Sequence, residues 1–369
     1  MKKEQIEEII SKMTLHEKVL LCTGKNSWRT RDYEKLGIPS ILVSDGTSGV
    51  RFQIGSDQPE EMSFYDSLGG SFDNEEAMSR TYRATCFPSG SAIASSWDTE
   101  LIGEIGKKLA GECKELGINM LLGPGMNIHR HPLTARNFEY YSEDGFIAGK
   151  LAASVVQGSN KYGVYAYIKH FALNDQETNR CAFLLTYSNE QAIREIYLKP
   201  FELCIKNFDG TQIAVMSSFN WIGTVPACAN EDTLTTILRN EWGFQGMVIT
   251  DYDGSYGYMI TDHCVRTGND LMLGFSSQAS NQLTNTESAT LNNALRTSCK
   301  NIMYTIANSG YYTNTTDDSG MSNMTKLFVT IDVVTVLLVV LCMALVIVRY
   351  RKKHAKTAAE VTPEEKKEE

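Results

Sequence analysis

The chain has 369 residues, 42% of them hydrophobic and 21% charged, with a net charge of −9. That is ordinary globular composition, long enough for one large α/β domain or two small ones. The acidic balance argues against nucleic acid as a partner and suits a neutral or cationic ligand better than a polyanion. Nine cysteines are scattered without C-x-x-C or His-rich spacing, so no zinc or redox motif is present and no metal or cofactor is expected. Cys22, Cys113, Cys204 and Cys299 sit in apolar or helical contexts and read as core thiols. The odd count, with Cys342 inside an apolar helix, argues against a disulfide framework.

In chain order, residues 3–22 set Ile6, Ile9, Ile10, Met13, Leu15, Val19 and Leu20 at helical spacing and predict one or two amphipathic helices. Leu36 to Asp45 reads as a turn, a strand and a strand-end carboxylate. Residues 53–84 are polar, acidic and Gly-containing, and read as a long loop near the site. Asp98 caps a helix running to about Leu116, and Gly117 to Pro124 is a short strand. Helix 144–158, strand 163–168, helix 189–207, strand 212–216, helix 231–240, strand 247–250, strand 268–273 and helix 286–308 follow. Strand and helix alternate at intervals of about 30 to 45 residues, the rhythm of parallel βα units, and a TIM-like (β/α)8 barrel fits the length.

Leu327 to Val348 is almost wholly apolar, with Asp332 as its one charged residue, and at about 22 residues it is long enough to span a bilayer. Residues 311–326 form a polar linker to it, and 349–369 a charged tail. The basic run Arg349 to His354 places the C-terminus in the cytoplasm and the barrel outside, with Tyr350 at the interface. Met1-Lys-Lys-Glu-Gln5 has no apolar h-region, so no secretory signal is visible, and a fragment or split gene is the favoured account.

The most informative segment is Trp242 to Gly254. An apolar run, Met247 to Ile249, follows a Gly-Phe-Gln-Gly turn and ends in Asp251, where a strand would leave a barrel core. The carboxyl ends of barrel strands carry the chemistry, and a carboxylate there can attack an anomeric carbon. Alone, such an Asp more often caps the next helix. Other strand ends carry polar groups as well: Asp45 before Gly46-Thr-Ser-Gly49, Arg130, His131 and Arg136, Lys169-His170, and Met216. Each has a plain reading of its own: a turn residue for Asp45, a Glu139 or Glu143 partner for Arg136, backbone partners for Lys169 and His170. Together, carboxylate, Lys, His and Arg beside an apolar wall are what a sugar site needs. Leu68-Gly-Gly-Ser71 lacks the following helix of a phosphate loop, which removes support for a nucleotide enzyme.

The order and wording of these segments resemble glycoside hydrolase family 3 over about residues 12–310. The matching stretches are Gly37-Ile-Pro39, Ser44-Asp-Gly46, Thr85-Cys-Phe-Pro-Ser89, Gly123-Pro-Gly-Met-Asn-Ile128, Arg136-Asn-Phe-Glu-Tyr-Tyr-Ser-Glu-Asp144, Ile168-Lys-His-Phe171, Arg194-Glu-Ile-Tyr-Leu198 and Gly246-Met-Val-Ile-Thr-Asp251. The resemblance implies a retaining mechanism on the barrel with Asp251 as nucleophile. It also implies that Asp45, Arg136, Lys169 and His170 bind the terminal sugar, with Met216 nearby and Tyr252 as the flanking aromatic.

The departures narrow the branch. Gly46-Thr-Ser-Gly49 stands where the family often reads Gly-Pro-His-Gly, so one loop contact is expected to be missing. Phe219 stands where a Tyr often follows the strand-end Met, removing a hydroxyl. The loop Ala172-Leu-Asn-Asp-Gln-Glu177 holds no His, which points away from N-acetylhexosaminidases and toward the β-glucosidase-like branch. In that branch the acid/base Glu usually comes from a second α/β domain. Glu143, Asp175, Glu177 and Asp253 lie near the expected site, and spacing alone promotes none of them to general acid. The expected partners are a β-linked glycoside, the bilayer through 327–348, and a second domain or chain carrying the acid. The runner-up is a sugar-binding barrel remnant with impaired catalysis.

Overall fold

A computed structural model describes residues 3–25, 28–51, 84–253, 257–274, 283, 286–312 and 323–360. The expected loop 53–84 (apart from residue 84), Leu68-Gly-Gly-Ser71, Gly254, most of the linker and the tail beyond residue 360 lie outside them. The chain divides into two units, Met1–Asn314 and Thr315–Glu369.

In the first unit, six strands form one parallel sheet: β1 (Val43–Asp45), β2 (Met120–Leu122), β3 (Tyr165–Phe171), β5 (Ala214–Ser217), β8 (Val248–Tyr252) and β9 (Leu271–Leu273). Each strand is hydrogen-bonded to the next in this order, so consecutive βα units lie side by side around a curled sheet. Eight strands were expected, and six are present in this sheet among the described residues. The helices start where the sequence supplies a cap. Thr14 and Glu17 form a capping box for Leu15–Thr23, while Asp98 accepts from the N–H groups of Glu100 and Leu101, and Asp144 from those of Phe146 and Ile147. Two helices, Lys3–Lys12 and Leu15–Thr23, resolve the opening amphipathic stretch. They lie against the last helix of the unit, Ala289–Asn308, through a Glu7–Arg296 ion pair at 3.0 Å and a Cys299 thiol directed at the Lys18 carbonyl.

Strand alternation sorts the core into two layers. Val43, Met120, Tyr165, Tyr167, Ala214, Met216, Met247, Ile249 and Leu271 fill the concave side of the sheet. Ala166, Ile168, Val215 and Val248 face the helices, against Leu151, Phe201 and Leu234. The helices Thr99–Glu115 and Gly145–Asn160 touch backbone to backbone, which only glycine allows: a Cβ on Gly106 would lie 2.4 Å from the Val155 carbonyl oxygen. Asp270 holds the end of the sheet. Its Oδ2 accepts from Arg239 at 2.6 Å and from the Val248 N–H at 2.8 Å, and its Oδ1 from Asn301 at 3.0 Å.

β3 is longer than the expected 163–168 and carries Lys169 and His170 inside the strand. A second sheet, of β4 (Leu185–Thr186), β6 (Trp221–Ile222) and β7 (Val225–Pro226), was not foreseen. Each strand has two residues, too few for any periodicity to register. All nine cysteines are free thiols; Cys22, Cys113, Cys204 and Cys299 are buried. In the second unit, Asn323–Glu360 is one helix, and its span Thr330–Lys352, of mean hydropathy 3.1, is long and apolar enough to cross a membrane.

Candidate active site

Where β3 and β8 leave the core their register shifts, between Ile168 and Phe171 and between Ile249 and Tyr252, and charged groups come together at these strand ends. Met216 pairs in register with Ile249, and Asp251 follows two residues later on the same face of β8. On β3 the face that carries Tyr165 and Tyr167 carries Lys169 next. Lys169 Nζ lies 2.5 Å from Asp45 Oδ1, joining the ends of β3 and β1 across β2. Lys169 is almost wholly buried, whereas the Asp45 side chain keeps 32% of its surface. Burial alone would raise the Asp45 carboxyl; the ammonium, with Arg136 and Arg51 farther off, outweighs it and holds the group below the usual range.

His170 is fixed from three sides. Its N–H donates to Asn127 Oδ1 at 2.6 Å, its carbonyl accepts from Asn127 Nδ2 at 3.0 Å, and Tyr140 Oη lies 3.1 Å from Nδ1. Burial, then the charges of Arg136, Lys169 and Arg180, push its pKa well below the ordinary value, so the ring is neutral. Tyr140 Oη and Nδ1 form one hydrogen bond in either tautomer, and the other ring nitrogen, Nε2, faces Asp251 Oδ2 at 3.7 Å.

Asp251 lies between His170 and Arg180. Its Oδ1 accepts from the Tyr252 N–H at 2.8 Å. Its Oδ2 is buried without a hydrogen-bond partner among the described residues, with Arg180 Nη1 at 3.9 Å. Burial raises its pKa, and Arg180, Arg136, Lys169 and the Tyr252 N–H offset only part of that rise.

Arg136 is ion-paired to Glu139, which is buried and accepts from Thr47 Oγ1 at 2.7 Å. The loop Gly46-Thr-Ser-Gly49, expected to lose a contact, therefore makes one of its own by orienting the carboxylate that orients Arg136. Met216 lies one layer below Asp251, buried in the concave core, and its side chain is not among the charged groups. Tyr252 is half-buried and packs against the apolar clusters beside the site.

Arg180 reaches the same group of charges from outside the strand ends. It is nine positions past the end of β3, where no strand-end argument reaches, yet its guanidinium touches Glu177 at 3.3 Å, approaches Asp251, and stacks 4.5 Å over the Phe219 ring. Phe219 stands where a hydroxyl was expected to be lost, and it instead presents a ring face to this cation. Of the other carboxyls, Glu143 is exposed, Asp253 is buried, Glu177 joins the site through Arg180, and Asp175 lines a neighbouring cleft of about 400 Å³ with Arg130 and Thr134.

Residues 65–273 match the glycosyl hydrolase family 3 N terminal domain. The chain belongs to glycosyl hydrolase family 3. It is 42% identical over 252 residues to beta-glucosidase B of Emericella nidulans, covering 68% of this chain and 27% of that protein. It is 38% identical over 247 residues to an exo-alpha-(1->6)-L-arabinopyranosidase of Bifidobacterium longum, covering 67% of this chain and 30% of that protein. Its structure is similar to beta-glucosidase 3B of Thermotoga neapolitana, solved in complex with alpha-D-glucose, at a TM-score of 0.68 and 32% identity, over 84% of this chain and 43% of that one. The family 3 chain described here thus spans under a third of the length of these curated relatives. An α/β fold with a curled parallel sheet accords with the family's N-terminal domain.

Proposed function

We propose that this chain carries the nucleophile-bearing barrel of a membrane-anchored, retaining β-glucosidase-like hydrolase. The barrel is a (β/α)8 domain of residues 1–310, followed by a linker at 311–326, a membrane helix at 327–348 and a cytoplasmic tail at 349–369. One observation carries the reading: Asp251, next to last in β8, has a buried carboxylate oxygen with no hydrogen-bond partner among the described residues, facing His170 and Arg180. Asp251 attacks the anomeric carbon, forming the glycosyl-enzyme bond while the bond to the leaving oxygen breaks. Asp45, Lys169, Arg136 and His170 bind the hydroxyls of the terminal sugar, Met216 forms the floor, and Tyr252 flanks the ring. The neutral His170 donates to a sugar hydroxyl or to Asp251 without adding charge. The proton for the leaving group comes from an acid outside residues 1–310, on a second domain or a partner chain. Water then releases the sugar. The similar beta-glucosidases and arabinopyranosidase support an exo-acting glycosidase on a β-linked or equivalent equatorial glycoside. The apolar span, with Arg349, Arg351, Lys352 and Lys353 clustered at its C-terminal end, supports a single-pass anchor with the barrel outside.

The test is incubation of the full chain with a 2-deoxy-2-fluoro aryl β-glucoside, followed by intact mass and peptide mapping. The expected result is a covalent adduct on Asp251 and none in Asp251→Asn; an adduct that survives this substitution overturns the assignment. A sugar-binding barrel without turnover is the second reading. It is favoured by the capture of Glu177, the carboxylate linked to Asp251, by Arg180. Sugar binding with no adduct selects it.

A further inference from the structure

Two of the buried thiols face each other where the two ends of the first unit meet. Cys22 lies in the last turn of the helix Leu15–Thr23, and Cys299 lies midway along Ala289–Asn308. Both are fully buried, in the cluster that holds Ile10, Leu21, Leu295 and Ile302. The Cys299 thiol donates to the Lys18 carbonyl at 3.6 Å, one helical turn before Cys22. A thiol has one proton to give, so in the hydrogen bond that the two thiols share Cys22 donates and the Cys299 sulfur accepts. That bond first, and burial second, hold the Cys22 thiol well above its ordinary pKa. Cys113 and Cys204 are buried as well, but burial leads in raising them, and no thiol acts on either among the described residues. Packing asks only for a small apolar group at such positions. It does not ask for two sulfurs in contact on helices from opposite ends of the unit.

We propose that Cys22 and Cys299 form a redox-controlled staple, a disulfide that joins the opening helices of the unit to its closing helix. The oxidant is a small disulfide such as glutathione disulfide. One cysteine thiolate attacks it and a glutathione thiolate leaves; the other cysteine thiolate attacks the mixed disulfide and the second glutathione leaves. The oxidant's S–S bond breaks and the Cys22–Cys299 bond forms. The two cysteines give up two electrons and two protons, and the oxidant becomes two glutathione thiols. Attack needs a thiolate within reach of solvent, and Cys22 in the closed unit is neither ionised nor exposed. The exchange therefore proceeds while the opening helices are lifted off Ala289–Asn308, and docking then seals the bond. The staple closes a loop of about 280 residues, so it removes more chain entropy from the unfolded state than a short-range bridge would. Cys228 and Cys264 also share a hydrogen bond between thiols, but the loop they would close is far shorter. The anchored reading, with this unit outside the membrane, puts the pair where disulfides persist. The bond itself rests neither on that nor on the glycosidase reading.

The experiment takes the full chain in detergent, reduces it, and incubates it with glutathione disulfide in about 1 M urea, below the unfolding transition. Blocking with iodoacetamide and peptide mapping without reductant should find the Cys22 and Cys299 peptides joined. Once returned to buffer, the oxidised protein should unfold at a urea midpoint about 1 M above that of the reduced protein, read by tryptophan fluorescence. Cys22→Ala should show no such gain when its oxidised and reduced forms are compared with each other. The mapping needs no variant, so it decides the proposal even if that substitution fails to fold. Cys22 and Cys299 peptides that stay separately alkylated overturn the proposal, whether or not Cys228 and Cys264 become joined. A midpoint gain that survives in Cys22→Ala, or a joined pair without a gain, overturns it as well.

Discussion

Replacing Lys169 by Met keeps the length of the stem and deletes the ammonium that sits 2.5 Å from Asp45 Oδ1. Removing one partner of a fully buried ion pair costs about 3–5 kcal/mol, because the remaining charge is left uncompensated. Asp45 keeps 32% of its side-chain surface, so water recovers part of that cost, and about 2–3 kcal/mol is expected. With a urea slope of about 3 kcal/mol per molar, the midpoint should fall by about 0.7–1 M at pH 7.5. Intrinsic fluorescence reads this cleanly, because all four tryptophans (Trp28, Trp97, Trp221 and Trp242) lie in the first unit. The pH dependence has a definite sign. In the wild type the Asp45 pKa is depressed, so its stabilisation is complete above its unfolded value of about 3.9 and is lost as pH falls through the folded value. In Lys169→Met, burial is opposed by Arg136, Arg51 and the Gly46 N–H without the ammonium, the carboxyl titrates higher, and acidification relieves the variant. The gap between the two proteins should therefore narrow from pH 7.5 to pH 5. A gap that is equal at both pH values, or a midpoint shift below about 0.2 M, would refute the electrostatic account of this pair.

Two further outcomes test the packing and the site. Gly106→Ala should destabilise by about 1–3 kcal/mol, because the new Cβ meets the Val155 backbone, which can yield only if two helices separate. Gly111→Ala, in the same helix with nothing within 4 Å of its Cβ, should stabilise by about 0.5–1 kcal/mol, and urea midpoints that shift in the same direction would contradict the close-contact argument. The His170 ring should keep the nitrogen chemical shifts of neutral imidazole from pH 8 down to about 5.5, because burial and three cations hold its pKa well below the unperturbed value of about 6.5. A titration step near 6.5 that disappears in His170→Asn would show that the ring is more solvated than its packing implies.

Much of the fold is legible in the sequence because each βα unit writes its own signals. Asp98 and Asp144 announce helix starts, and short apolar runs mark β2, β5 and β8. The site is legible to the extent that it sits on strand ends: Asp45, Lys169 and Asp251 fall there, and the structure brings them together. Met216 is a strand-end residue by the same rule, but alternation places it a layer deeper, in the apolar core. Arg180 escapes because its contact with Asp251 depends on how a long loop folds back, and no local periodicity encodes that. The clamp of Thr47 on Glu139, and through it on Arg136, joins positions 92 apart in sequence, and a loop composition cannot reveal it.

The opening helices and the helix Ala289–Asn308 have a consequence for how this chain is made. Glu7 and Arg296, which meet in an ion pair, are 289 positions apart. Emerging from the ribosome, the apolar faces of Lys3–Lys12 and Leu15–Thr23 stay without that mate until nearly the whole unit has been synthesised. The intervening βα units can dock one upon another as they appear, since sheet neighbours are also chain neighbours. The final step then joins the two ends of the unit across the longest loop it contains, the slowest kind of contact to form by chance. An early amphipathic segment and a late partner therefore leave apolar surface uncovered through most of the synthesis of the unit.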